Sequence, residues 1–361
     1  MKSNDQSMVI ENASVVTPSG VLEHASVKVT DGAVAAISTG RLNGTDRRID
    51  ARGLYVLPGL IDLHSDAIEK EIEPRTGAIF PFNMAIIEMD KKLAGCGITT
   101  MYHSFSYSQN PEGVRSNETA SAIVREVNRL APQLGIRTRV HARFELTSDQ
   151  APPYLERLLD AGYIQLFSIM DHGWLEKENR RFAPSDLLQE SRVRQLVDRC
   201  HALGIPVASH DLASKEELDV VEGMGIRFTE FPLNMEAAAL ARSRGMHILL
   251  GAPNVVRGGS FIGNMSARDA LKAGLGDILC SDYAPMSFIH AVFAVYQAGI
   301  LPLHEAANLA SLNPAKTVGI DGTTGSLEAG KSADIIIVDP AGEVPRVMKT
   351  FVEGKEVYST W

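Results

Sequence analysis

Five short apolar runs in this chain of 361 residues end on side chains able to bind a divalent metal. The first closes as Ile61-Asp62-Leu63-His64-Ser65-Asp66, the third as Phe144-Glu145 and the fourth as Met170-Asp171-His172. The fifth closes as Ser209-His210-Asp211 and the eighth as Ser281-Asp282-Tyr283. In an extended strand His64 and Asp66 fall on one face, ~6.6 Å apart along the chain. An imidazole and a carboxylate so placed can reach the same ion. Glu145 is costly to bury alone and calls for a metal or a cation. Arg143 lies close by, but we expect it on the opposite face of the strand. One His-x-Asp taken alone reads more simply as a structural histidine. Five strand ends carrying such groups to one rim make a constellation. His103 closes the second run, as a sixth member or a bystander, while His24, His201, His290 and His304 read as structural or solvent-facing.

The seventh run leads into Gly251-Ala252-Pro253-Asn254-Val255-Val256-Arg257-Gly258-Gly259-Ser260. Read as a loop, this stretch offers backbone amides, a guanidinium and a hydroxyl with little bulk, which suits a phosphate or another oxyanion. It is not a P-loop, because no Gly-Lys-Ser or Gly-Lys-Thr follows. Arg75, in Glu73–Gly77 after the first run, offers a second guanidinium. The expected substrate contacts are therefore Arg75, Asn254, Arg257, Gly258, Gly259 and Ser260.

The elements that must position these groups recur regularly. Apolar runs at Leu57–Leu63, Ile98–His103, Arg139–Leu146, Ile164–Met170, Ile205–Ser209, Arg227–Phe231, His247–Gly251 and Asp277–Cys280 alternate with helical stretches. The latter include Ser116–Leu134, Ser185–Leu203, Ser214–Met224, Met235–Arg244 and Ser266–Ala273. Ser214-Lys215-Glu216-Glu217 has a capping-box pattern. Eight β/α units over residues 58–315 fit a (β/α)8 barrel of TIM type, whose chemistry lies at the C-terminal ends of its strands. A doubly wound sheet is the structural alternative, without a GxGxxG at its first turn. Residues 1–57 and 316–361 are β-rich and helix-poor, with hairpin turns at Asp31-Gly32 and Glu353-Gly354. They are expected to form one small β domain.

Composition narrows the function classes. Apolar residues at 45% and charged residues at 22% describe a soluble globular chain. There are 35 basic against 44 acidic side chains, a net charge of −9 that disfavours nucleic acid as a partner. An anionic ligand would need a local basic cluster or a metal to overcome that field. No run of ~18 apolar residues suggests a membrane span. The first twelve residues lack an apolar signal core, and three cysteines make no disulfide framework, so a cytoplasmic location is expected.

Pro58-Gly59-Leu60-Ile61-Asp62-Leu63-His64 resembles the first-strand signature of the amidohydrolase superfamily, (β/α)8 metallohydrolases that often carry a small β-sandwich built from both chain ends. His64-Ser65-Asp66 stands where most members have His-x-His. That variant is similar to the PhnM group, the α-D-ribose 1-methylphosphonate 5-triphosphate diphosphatases. Further similar stretches are Pro74-Arg75, Phe144-Glu145-Leu146, Met170-Asp171-His172, Ala208–Asp211, Thr229-Glu230-Phe231-Pro232, Gly251–Ser260, Gly263-Asn264 and Ser281-Asp282-Tyr283. The segment after His172 departs from the group, being shorter and rewritten.

The resemblance implies two divalent ions per chain, zinc first among Mn, Fe, Ni and Co. His64, Asp66 and Asp282 would hold one ion, His172 and His210 the other, with Glu145 bridging them. Asp282 would also act as the general base toward water. The implied reaction releases pyrophosphate from a small anionic phosphonate substrate. The alternatives are a C–N hydrolase acting on a cyclic amide, N-acyl or deaminable substrate, and a non-catalytic barrel that binds a small ligand. Whether the chain forms a homo-oligomer is left open.

Overall fold

The computed structural model describes residues 7–42, 47–108, 113–146, 148–171, 191–260 and 263–361. Five strands come first: β1 (Met8–Thr17), β2 (Gly20–Thr30), β3 (Ala33–Ser38), β4 (Arg47–Asp50) and β5 (Tyr55–Pro58). Eight more build the barrel: β6 (Leu60–Ser65), β7 (Ile98–Tyr107), β8 (Arg137–Glu145), β9 (Leu166–Met170), β10 (Val207–His210), β11 (Phe228–Glu230), β12 (His247–Gly251) and β13 (Ile278–Cys280). The last three, β14 (Ile335–Asp339), β15 (Arg346–Val352) and β16 (Lys355–Ser359), return to the first sheet.

That first sheet runs β16-β15-β14-β5-β1-β2-β3, with β4 and β5 sharing one edge of β1. Strands from both ends of the chain thus meet where β14 pairs antiparallel with β5. Met8, Val15, Val27, Ile337 and Phe351 form its core. The two expected hairpins are present. Asp31-Gly32 and Glu353-Gly354 each place two consecutive residues at positive φ, the requirement of a tight two-residue turn matching strand twist.

The barrel strands lie parallel in chain order from β6 to β13. Two layers of apolar residues fix it. Met101, Phe105, Phe144 and Ile169 pack outward among the helices, while Ile61, Tyr102, Leu166, Phe228 and Leu249 fill the inside. The expected run Leu57–Leu63 spans two elements: Leu57 ends in the small sheet, and the barrel begins after Gly59. A Cβ on Gly59 would lie 2.3 Å from the Thr99 side chain, so only glycine lets the chain pass from one sheet to the other. Helices follow the strands as expected, with Ser116, Ser214, Asn234 and Ser266 capping their N-termini. One expectation is corrected. Ala252–Arg257 is a short helix rather than a loop, ended by Gly258 at φ 82°.

The seam between β6 and β13 closes partly through a side chain. Asp62 Oδ1 accepts from the backbone N–H of His64 (3.2 Å) and of Ser281 (3.1 Å). Just above it, the Asp282 amide donates to the His64 carbonyl and the Asp66 amide to the Asp282 carbonyl. This locks His64, Asp66 and Asp282 to one another at the rim.

Candidate active site

Three rim residues hold a backbone conformation that non-glycine residues seldom adopt. Asp211 and Phe231 directly follow β10 and β11, and Asp282 lies two residues after β13, at φ 59°, 51° and 57°. Each still donates its amide to the neighbouring strand: to the carbonyls of Glu230, Leu249 and His64 respectively. The left-handed turn breaks strand alternation, so His210 with Asp211, and Glu230 with Phe231, both reach the barrel mouth. His64 arrives there through an irregularity in the β6–β7 register after Asp62.

The centre of the site is buried and polar. His64 Nδ1 lies 3.1 Å from Glu230 Oε1, and His64 Nε2 lies 3.3 Å from an Arg143 guanidinium nitrogen. The Phe231 ring meets the rings of both His64 and His210 edge-on at 5.1 Å. Below, His141 packs edge-on against His64 and bonds the Ser104 and Ser168 hydroxyls and the Leu63 carbonyl. Burial pushes His141 down to about 3. Burial, then Arg143 and His210, hold His64 well below the ordinary imidazole range. His210 differs: burial opposes its charge, but Asp211 and Glu230 outweigh that and raise its pKa. Burial, helped by Asp66, lifts Asp282 to about 6.

These residues open into a cavity of about 260 Å³. His64, Arg143, His210, Asp211 and Asp282 form one wall, and Arg257, Gly259 and Ser260 belong to another. One donor atom each from His64, His210 and Glu230 lies within 4.8 Å of the others. Glu230 Oε2 is buried with no hydrogen-bond partner among the described residues. Two imidazoles and a carboxylate with an unsatisfied oxygen, gathered this closely, fit a divalent ion.

Residues 97–357 match the model of the amidohydrolase family. The chain belongs to that family. Among curated proteins, this amidohydrolase is 29% identical to the α-D-ribose 1-methylphosphonate 5-triphosphate diphosphatase of Escherichia coli K12, over 97% of this chain and all of that one. It is 23% identical to a dihydroorotase of Geobacter metallireducens, over 92% of this chain and 90% of the relative. Among solved structures it superposes on the L-hydantoinase of Arthrobacter aurescens with a TM-score of 0.70 at 18% identity, covering 98% of this chain and 96% of that one. An N-acetyl-D-glucosamine-6-phosphate deacetylase from Mycobacterium smegmatis gives 0.72 at 16% identity, covering 98% and 100%.

The amidohydrolase brings together His64, His210 and Asp282, all on the cavity wall. Asp66 stands beside them, with Arg115 at 3.1 Å and Arg143 at 3.6 Å from its Oδ2. Glu145 is buried at the end of β8. His172 lies outside the described residues. His103 is not a rim residue: between Met101 and Phe105 it faces the helices, while its neighbours Tyr102 and Ser104 face inward.

Among the expected substrate contacts, Arg257, Gly259, Ser260 and Asn254 line the cavity, whereas Arg75 is exposed and does not. The Asn254 side chain bonds the backbone of Met265 and Ala267. The amides of Gly258 and Gly259 both donate to the Asn254 carbonyl, capping the short helix. The idea that these glycines offer free amides is therefore corrected.

The sequence reading assigns no site role to Glu230, Asp211, His141 or Arg143, although Asp211 and Glu230 stand in its motifs and Arg143 is noted beside Glu145. Glu230 closes an apolar run, the same signal that marked Glu145. His141, Arg143 and Glu145 alternate in a strand, which places all three on one face. The expectation that Arg143 turns away from Glu145 is corrected by that spacing.

Among the described residues no helix is long and apolar enough to cross a membrane, and Cys96, Cys200 and Cys280 are free.

Proposed function

We propose that this amidohydrolase is a metal-dependent phosphoanhydride hydrolase acting on α-D-ribose 1-methylphosphonate 5-triphosphate or a close analogue, with release of pyrophosphate. The carrying observation is that Arg257 and Ser260 share one cavity with His64, His210 and Asp282. An anion clamp and a metal-type donor set then face the same bound molecule. The full-length similarity to the Escherichia coli diphosphatase supports the same reading. The free cysteines agree with a cytoplasmic enzyme.

His210 and Glu230, with His64 packed beside them, would hold a divalent ion, with Asp66, Glu145 and His172 as the further donors expected from sequence. Such an ion supplies Lewis-acid activation of water and of the phosphoryl group near neutral pH. The remaining work falls to the chain. Asp282, fixed by the seam, accepts a proton from the attacking water and passes it to the leaving oxygen. Arg257 balances the anionic oxygens, and Ser260 can donate to one of them. Phe231 shields the two histidines from bulk water.

A second reading, hydrolysis of a C–N bond, is favoured by the rewritten segment after His172 and by the hydantoinase and dihydroorotase likenesses. A panel of ribose triphosphates and cyclic or N-acyl amides separates the two. Turnover of the triphosphate is expected, with Arg257→Ala raising its KM by ~10- to 100-fold, the scale of a lost charge-assisted hydrogen bond. Turnover of amides alone, untouched by Arg257→Ala, rejects the phosphoanhydride reading.

A further inference from the structure

Arg143 is an unusual cation. It projects from β8 two residues before the strand ends, its side chain is only 8% exposed, and it points into the metal-type cluster. Its guanidinium reaches His64 Nε2 at 3.3 Å and Asp66 Oδ2 at 3.6 Å. These are two of the three side chains that the resemblance assigns to one ion, and the third, Asp282, is bonded to both through the seam backbone.

A guanidinium has donors only, so His64 Nε2 must accept from it. The proton of neutral His64 is then on Nδ1, where it donates to Glu230 Oε1. That leaves Glu230 Oε2 as the oxygen without a partner among the described residues, in a carboxylate that has one oxygen within 4.8 Å of a His210 ring nitrogen. A dication brought next to His64 Nε2 would meet both the lone pair already engaged by Arg143 and a fixed positive charge in a buried setting.

We propose that Arg143 is the built-in second cation of this site, standing between His64 and Asp66 in place of one of two ions, so that the chain binds a single divalent ion at Glu230 and His210. The proposal rests on the metal-dependent reading above and deepens it. Arg143 acts on the ion through His64 and Glu230, as a positioning residue. Arg115 reaches the same Asp66 oxygen at 3.1 Å, so loss of Arg143 leaves that carboxylate oriented.

The test is stoichiometry, independent of turnover. Full-length protein is stripped with a chelator, reloaded with Zn²⁺, freed of excess ion and assayed by elemental analysis. Wild type is expected to hold one ion per chain. Arg143→Ala is expected to approach two, because His64 Nε2 and Asp66 become available together, and Arg143→Lys, which keeps the charge, to stay near one. Circular dichroism checks folding; if the alanine variant does not fold, Arg143→Gln, uncharged and bulkier, is expected to exceed one. Two ions in wild type overturn the proposal, as does a folded Arg143→Ala or Arg143→Gln that still holds one. Failure of wild type to hold any ion overturns the metal-dependent reading itself.

Discussion

Asp282 carries the most demanding role in the proposed chemistry, and its backbone makes a clean test available. Asn tolerates the left-handed region as well as Asp does, so Asp282→Asn removes the carboxylate without straining the turn. Turnover is expected to fall by ~10² or more, the usual scale for a missing general base, with an unchanged far-ultraviolet spectrum. A loss under threefold would assign proton transfer to another group. His103 gives a prediction about stability. Burial lowers it to about 3, against an ordinary value of 6.5. Between those values the unfolded chain binds a proton that the folded chain refuses, so stability falls as pH drops from 6.5 toward 3, with a slope approaching ~1.4 kcal/mol per unit. His103→Leu, apolar and not titratable, is expected to flatten that part of the melting temperature against pH between 6.5 and 4. At this scale the sequence revealed acids and imidazoles that end apolar runs. It misplaced Arg143, because treating it as the immediate neighbour of Glu145 puts it on the opposite face, whereas a spacing of two residues puts both on one.

Strands were legible because each is a short apolar run, and β12 falls where the sequence places it. Their ends were less so. Nothing in Asp211, Phe231 or Asp282 announces positive φ, since none is glycine, and the neighbouring strand's carbonyls decide it. The helix Ala252–Arg257 was hidden by its flanking glycines, which look like loop until Gly258 is seen as its terminator. The seam held by Asp62 was also out of reach, because it joins residues far apart in sequence. It predicts a graded response. Asp62→Ala leaves the His64 and Ser281 amides without their acceptor and is expected to cost roughly 2–4 kcal/mol, read from chemical denaturation. Asp62→Asn keeps an oxygen in place and should cost less than half as much. Equal costs would mean that the seam does not depend on this acceptor.

Over the whole molecule, the net charge of −9 would be reconciled with the proposed anionic substrate locally, by Arg257 and Arg143 on the cavity wall and by the proposed ion. A bound ion stabilises only the folded chain. Chelation is therefore expected to lower the melting temperature by several degrees, since ligand at 100 times its Kd contributes ~2.7 kcal/mol. Restoring Zn²⁺ or Mn²⁺ should reverse the shift; an unchanged melting temperature would argue against an ion held by buried donors.

The pairing of β5 with β14 has a consequence for how the molecule is made. Tyr55–Pro58 emerges from the ribosome early, but its partner Ile335–Asp339 is translated only after the entire barrel. Throughout that interval β5 presents an unpaired, largely apolar edge that could template association with another nascent chain. The growing polypeptide must keep that edge covered, by a chaperone or by transient contacts of its own, until the last three strands arrive. Slow translation of the barrel should therefore increase insoluble product, and a chain cut short before Ile335 should aggregate even though all eight barrel strands are present.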